Sequence, residues 1–205
     1  MQFKTELHAH TSEVSPCGHV TAPEVAERFI AEGYTSLVIT NHYCDYVIDT
    51  LNGSWQEKMD YYMRPYHLMK EHAGDRLNVI LGCELRFVGS INDYLIYGIT
   101  EEFLRENPDL HKMSLRTFTP LARENGFLVV QAHPFRNGIV IVDPRDLDGM
   151  EITLTDDFSG VTAILSYTVF PQKDALTRSV RIENRGAATC TLEKVASFCL
   201  DLQQE

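Results

Sequence analysis

From Thr5 to His133 the chain alternates between two hydrophobic rhythms. The runs SLVIT, NVILGCEL, DYLIYGI and FLVVQAH are almost continuously apolar and rich in β-branched residues, which suits strands buried on both faces. TELH is a shorter stretch of the same kind. Between these runs apolar residues recur at helical spacing. The first helix opens at Thr21-Ala22-Pro23-Glu24, with Thr21 at the N-cap, Glu24 three residues on and proline in the first turn. Val25, Ala26, Phe29 and Ile30 form its apolar stripe, and Gly33 ends it. A second helix is predicted from about Trp55 to Ala73, perturbed by Pro65. A third passes through Leu115 to Asn125 and stops at Gly126. This alternation predicts an α/β fold with a parallel sheet covered by helices.

From about Glu151 the rhythm changes. MEITLTDDFSG, VTAILSYTVFP, ALTRSVRIENRG and TLEKVASFCLDL alternate polar and apolar residues and are punctuated by turn-forming clusters. Period-two patterning with such turns predicts a short antiparallel β meander. Leu192 to Leu200 also reads as a helix by propensity.

The polar residues of the first part sit where chemistry is expected. In parallel sheets covered by helices, the carboxyl ends of strands carry the site. HAH, NH, CE, ND and AH lie at such ends, and each offers a metal donor. His8 and His10 are two apart, so in an extended chain both side chains aim the same way. Two surface or turn histidines are the plainer reading of HAH alone; the recurrence at successive strand ends favours a site. Imidazole and carboxylate together suit zinc, manganese or iron. By role, His8 and His10 serve one ion, Glu84 bridges, and His42 and His133 serve neighbouring ions, with Asp93 a further candidate. Pro134 is expected to hold His133 extended. Cys83, beside Glu84, should face the core. His67, His72 and His111 read as helix-surface or loop residues, and Tyr61, Tyr62 and Tyr66 as packing or a substrate wall. Arg136 could meet a phosphate or simply lie on the surface.

Composition narrows the partners. The 205 residues carry a net charge of −11, which disfavours nucleic-acid polymers and anionic membranes. A small phosphorylated substrate stays open, because a metal ion reverses the local field. The five cysteines are scattered without a CxxC pair, which fits reduced thiols better than a disulfide framework. With no apolar run long enough to span a bilayer and no signal peptide, a cytoplasmic location is expected. All eight histidines lie between His8 and His133, and none follows.

ELHAHTSEVSPC, VITNHY, ILGCEL, NDYLIYGI and QAHPFR resemble, in order, the early motifs of the polymerase-and-histidinol-phosphatase (PHP) domain family, over residues 1–149. The resemblance implies a distorted (β/α)7 barrel, here incomplete, with two or three divalent metal ions and phosphoester hydrolysis. Carried over by motif, His8, His10, His42, Glu84 and His133 are ligands, and no catalytic group beyond the ligands is implied. There are departures. Asn41 stands where the family usually has aspartate, and Asp93 where many members have histidine. After HAHT the family supplies another Asp or His; here Glu13, Cys17 and His19 are the substitutes available. The closing Asp-x-His motif is absent, since no histidine follows His133.

The segment from Met150 on resembles part of the amino-terminal β-sandwich of bacterial alpha-galactosidases, through DDFSG, LSYTVFP, LTRSVRIEN and TLEKVASFCLDL. That region is an accessory domain, so it implies no glycosidase activity, and Asp156 and Asp157 read as turn residues. The chain thus reads as a fusion with its seam near Asp148 to Thr153: residues 1–149 PHP-like, residues 150–205 a sandwich fragment. Open sheet edges would be covered by tail strands or in a homo-oligomer. The expected function is metal-dependent hydrolysis of a small phosphate ester, impaired by the missing motif. The alternatives are a carbohydrate-associated β-sandwich protein and a catalytically inactive fusion product.

Overall fold

The computed structural model describes residues 4–134, 136–140, 142–143, 146–156, 158–170 and 175–192. The chain forms two compact units, Met1–Val129 and Val130–Glu205.

In the first unit, β1 (Thr5–Ala9), α1 (Ala22–Ala31) and β2 (Ser36–Ile39) are followed by the two-residue β3 (His42–Tyr43) and a single turn, α2 (Asp45–Ile48). Next come α3 (Trp55–Ala73), β4 (Asn78–Leu85), β5 (Tyr94–Tyr97), α4 (Glu101–Glu106), α5 (Leu115–Glu124) and β6 (Leu128–Gln131), whose last two residues belong to the second unit. The Glu24 carboxylate accepts hydrogen bonds from Thr21 N–H (3.2 Å) and Oγ1 (2.6 Å), closing the predicted box at the start of α1. Gly33, with φ 75°, provides the left-handed residue past its end. Helix α3 is capped in the same way by Ser54 and Glu57 and runs unbroken through the buried Pro65.

Strands β1, β2 and β4 are parallel neighbours. Ala9, Leu37, Ile39, Leu77 and Val79 face Ala22, Val25 and Ala26 of α1 and Met69 and Ala73 of α3, all buried. Each large apolar side chain removed from water there contributes about 1.5–3 kcal/mol. The expected all-parallel order fails at β5, which runs antiparallel to β4 with Glu84 opposite Leu95. The cause is the short connection 86–93: a parallel crossover needs roughly a dozen residues or more. Asp93 therefore sits at the entrance of β5 rather than at a strand exit. The reversal still brings it to the end of the sheet where Glu84 lies.

In the second unit, Val130 and Gln131 pair in parallel with Gly149 and Met150 of β7 (Gly149–Thr155). The Gln131 side chain ties down the connection between them, donating to Val140 O (2.7 Å) and accepting from Val142 N–H (3.3 Å). Antiparallel hairpins then join β7 to β8 (Val161–Phe170) and β8 to β9 (Ala175–Asn184). These are three of the four predicted tail strands. β7 is both a parallel neighbour of β6 and the first arm of the meander. The fourth predicted strand, and the helical reading of Leu192–Leu200, fall on residues almost wholly outside the described ones. No helix among the described residues is long and apolar enough to cross a membrane.

Candidate metal centre

The pairing of β1 with β2 slips between Glu6 and Ala9. The N–H groups of Leu7 and His8 turn instead to Glu6 Oε1, each at 3.0 Å. His8 and His10 then share a face, with their Nε2 atoms 2.9 Å apart. Strand pairing supplies the rest. His42 of β3 lies opposite Glu84 of β4, and Glu84 N–H donates to Asn41 O at 3.1 Å. Three imidazoles converge on the buried Glu84 carboxylate: His8 Nε2 at 3.5 Å, His10 Nε2 at 3.2 Å and His42 Nδ1 at 3.0 Å. The rings of His10 and His42 stack with centroids 4.7 Å apart.

These donors fit a divalent cation. Two ligands on one tetrahedral ion, with arms near 2 Å, stand about 3.3 Å apart. The observed separations bracket that value. His42 Nδ1 is buried and makes no hydrogen bond, although Glu84 lies 3.0 Å away. A buried polar atom left so beside a carboxylate is satisfied by a cation between the two or, with an ion on Nε2, by its own proton turned to the carboxylate. Burial pushes the His42 pKa down to about 4, so at neutral pH the ring carries lone-pair donors rather than charge.

Asp93 is fully buried, and its carboxylate lies within donor distance of His42 and Glu84 as a candidate ligand set. Arg86 also grips it with two parallel bonds, Nε to Oδ1 at 2.6 Å and Nη2 to Oδ2 at 2.8 Å. The same guanidinium lies over Tyr46, 5.6 Å from the ring centre. Arg86 lies just past the end of β4, two positions after Glu84, and its N–H donates to Tyr43 O at 3.0 Å.

Of the three substitutes after HAHT, the structure brings Cys17 to the cluster, with Sγ 3.3 Å from His42 Nε2. Burial, and then the nearby Glu84, push this thiol up from its ordinary pKa. Glu13 turns away: its Oε1 accepts from Ala22 N–H at the start of α1 (2.8 Å). His19 is exposed and in none of the candidate metal-holding groups among the described residues. Asn41 does not face the imidazoles. Its Oδ1 accepts from Thr11 N–H (2.8 Å) and Ser15 Oγ (2.9 Å), pinning the HAHT loop, while its carbonyl accepts from Tyr62 OH (2.8 Å).

Other residues meet expectation in some cases and depart from it in others. His111 is buried rather than superficial, its Nε2 3.0 Å from Asp49 Oδ1. Lys112 already sits against that carboxylate and Asp109, at 3.6 and 3.1 Å, so the group carries its own cation. His67 and His72 are surface residues paired with Glu101 and Glu27. Cys83 is buried, as its place beside Glu84 requires. His133 and Arg136 belong to the second unit. His133 is not extended: its φ is 31°, because it opens a turn closed by Arg136 N–H to His133 O at 3.0 Å. Arg136 itself is exposed.

Comparison with known proteins separates two likenesses. The profile of the glycosyl hydrolase family 36 N-terminal domain matches residues 129–205. Alpha-galactosidase 2 of Hypocrea jecorina is 33% identical over 114 residues, covering 49% of this chain and 15% of that protein. The bifunctional alpha-galactosidase/sucrose kinase AgaSK of Mediterraneibacter gnavus is 33% identical over 104 residues, covering 47% and 11%. This chain therefore spans a small fraction of the length of these relatives. Among solved structures, a candidate metal-dependent phosphoesterase of Bifidobacterium adolescentis aligns over 73% of this chain and 77% of its own, with 16% identity and a TM-score of 0.42. PsfC of Pseudomonas syringae aligns over 72% and 62%, with 14% identity and a TM-score of 0.42. The carboxyl-terminal segment is thus similar to the N-terminal domain of glycosyl hydrolase family 36, and the chain carries ahead of it a histidine–carboxylate cluster built on strand ends.

Proposed function

We propose that the first unit is a divalent-metal centre that hydrolyses a small phosphate ester. The observation that carries this reading is the convergence of His8, His10 and His42 on the buried Glu84 at 3.0–3.5 Å, with His42 Nδ1 unsatisfied. When bound, zinc, manganese or iron would polarise a phosphoryl oxygen and acidify water. The chain's own part is to hold and orient. The imidazoles present lone pairs, Glu84 offsets the charge, and Arg86 holds the Asp93 carboxylate with two bonds at the cluster's wall. Asn41, Ser15 and Tyr62 fix the loop and strand end that carry His10 and His42. Two or three ions, and a ligand role for His133, follow the PHP resemblance and belong to the same proposal.

The test is phosphate release from p-nitrophenyl phosphate by chelator-treated protein, before and after adding manganese or zinc. Metal-dependent turnover that disappears in His8→Ala/His10→Ala supports the reading. Turnover indifferent to metal, or none with any ion, contradicts it.

The match over residues 129–205 favours a second, separate role for the second unit: an accessory β-sheet of the kind found in family 36 proteins. Glycosidase chemistry is not part of it. The carboxylate of Asp156 is engaged by its own turn, accepting from Phe158 N–H (3.3 Å) and Ser159 N–H (3.1 Å).

A further inference from the structure

We infer that Cys17 gives the cluster a thiolate donor, which selects zinc-like ions over manganese or magnesium at the His10–His42 side of the site. The inference rests on the metal-centre reading and goes beyond it. The PHP resemblance implies a carboxylate or imidazole after HAHT, whereas the side chain delivered here is a sulfur.

Cys17, His10 and His42 form one group whose donor atoms lie within 4.8 Å of one another. Cys17 Sγ is 3.3 Å from His42 Nε2. A sulfur and a nitrogen on one tetrahedral zinc, with arms near 2.3 and 2.0 Å, stand about 3.5 Å apart. The thiol does not act alone. The side chain of His42 is 9% exposed, and its other nitrogen faces Glu84 at 3.0 Å without a hydrogen bond. An ion held by Nε2 leaves Nδ1 on the carboxylate side, where a carboxylate orients a ligating imidazole.

The loop is built to place the thiol. Ser15 Oγ donates to Asn41 Oδ1 (2.9 Å) and accepts from His42 N–H (2.9 Å), so the loop is bonded to the residue its cysteine faces. Ser15 N–H donates to Thr11 O (3.1 Å), Gly18 N–H to Ser15 O (2.8 Å) and Ser12 N–H to Val20 O (2.9 Å). Gly18 lies so close to the backbone of Thr11 that a Cβ there would collide with the Thr11 carbonyl. The loop therefore folds tightly over HAHT, and its Pro16–Cys17 turn is exposed, with Sγ reaching His42. On ion binding the Sγ–H bond breaks, the proton leaves to solvent, and the sulfur lone pair forms the bond to the metal. Thiolate ligation favours zinc and cobalt, whereas manganese and magnesium prefer oxygen.

Cobalt(II) reports both levels of the argument. Full-length Cys190→Ser/Cys199→Ser protein, stripped of metal and titrated with cobalt, should show visible ligand-field bands from a nitrogen-bound ion. It should also show a near-ultraviolet sulfur-to-cobalt charge-transfer band. Cys17→Ser in that background should lose the second and keep the first, and Cys17→His should bind cobalt without it. Zinc should slow iodoacetamide labelling of Cys17 in the unmutated chain at least about tenfold, a readout that needs no variant to fold. Ligand-field bands without charge transfer, a charge-transfer band that survives Cys17→Ser, or labelling indifferent to zinc would overturn the thiolate assignment and leave the metal centre standing. No cobalt spectrum at all would overturn both.

Discussion

The two units use strands in opposite ways. In the first, residues that meet come from distant parts of the chain: Cys17 and His42 touch across 25 positions, and His42 lies beside Glu84 through strand pairing. In the second, most pairing is between hairpin neighbours, as where Thr155 stands opposite Thr162. Parallel order gathers the ends of strands far apart in sequence, and with them their polar residues, at one edge of a sheet. A meander spreads its residues along its arms and gathers nothing. Burial follows the same division. Leu37 and Ile39 of β2 are 0% and 2% exposed, whereas Leu154 of β7 is 51% exposed and Phe158 wholly so. The first unit has a deep core and a histidine–carboxylate cluster. The second has a hydrogen-bonded sheet with few fully buried side chains among its described residues.

The largest effect that would break this contrast is expected at Glu84. Glu84→Ala should weaken metal binding about a thousandfold or more, about 4 kcal/mol, in a calorimetric titration. Metal affinity unchanged by that substitution would remove the site from the first unit. Leu37→Ala should lower stability by about 3 kcal/mol in denaturant melts, because a fully buried side chain leaves a cavity. Arg86→Ala leaves the buried Asp93 without its guanidinium and should cost about 2–3 kcal/mol, discounted because Arg86 is itself partly exposed. Arg86→Lys should recover only part, since the ammonium cannot make both bonds. Leu154→Ala should change stability by no more than about 0.5 kcal/mol. If Leu154 and Leu37 proved equally costly, the difference in burial between the units would lose its energetic meaning.

Much of the first unit was legible from pattern alone. The limits of α3 and β4 follow from hydrophobic spacing, and the start of α1 from its capping residues. The direction of β5 was not, because an apolar run reads the same in either sense; only the short connection after β4 carried that information. The meeting of His8, His10, His42 and Glu84 was anticipated from their places at strand ends, where the period of a strand and the order of a sheet together fix position. Cys17 was one of three equal choices, since loop geometry depends on Gly18, Ser15 and Asn41 acting jointly. The burial of His111 left no sequence signal, because a short turn hides or exposes a side chain according to what packs over it.

The central claim is that the first unit holds metal through HAH and Glu84. Elemental analysis of the purified chain after chelation and reconstitution, beside His8→Ala/His10→Ala, tests it most directly. The account predicts about two equivalents of zinc, manganese or iron in the unmutated protein and a clear loss in the double variant. Absence of metal after reconstitution, or equal content in both proteins, would contradict it.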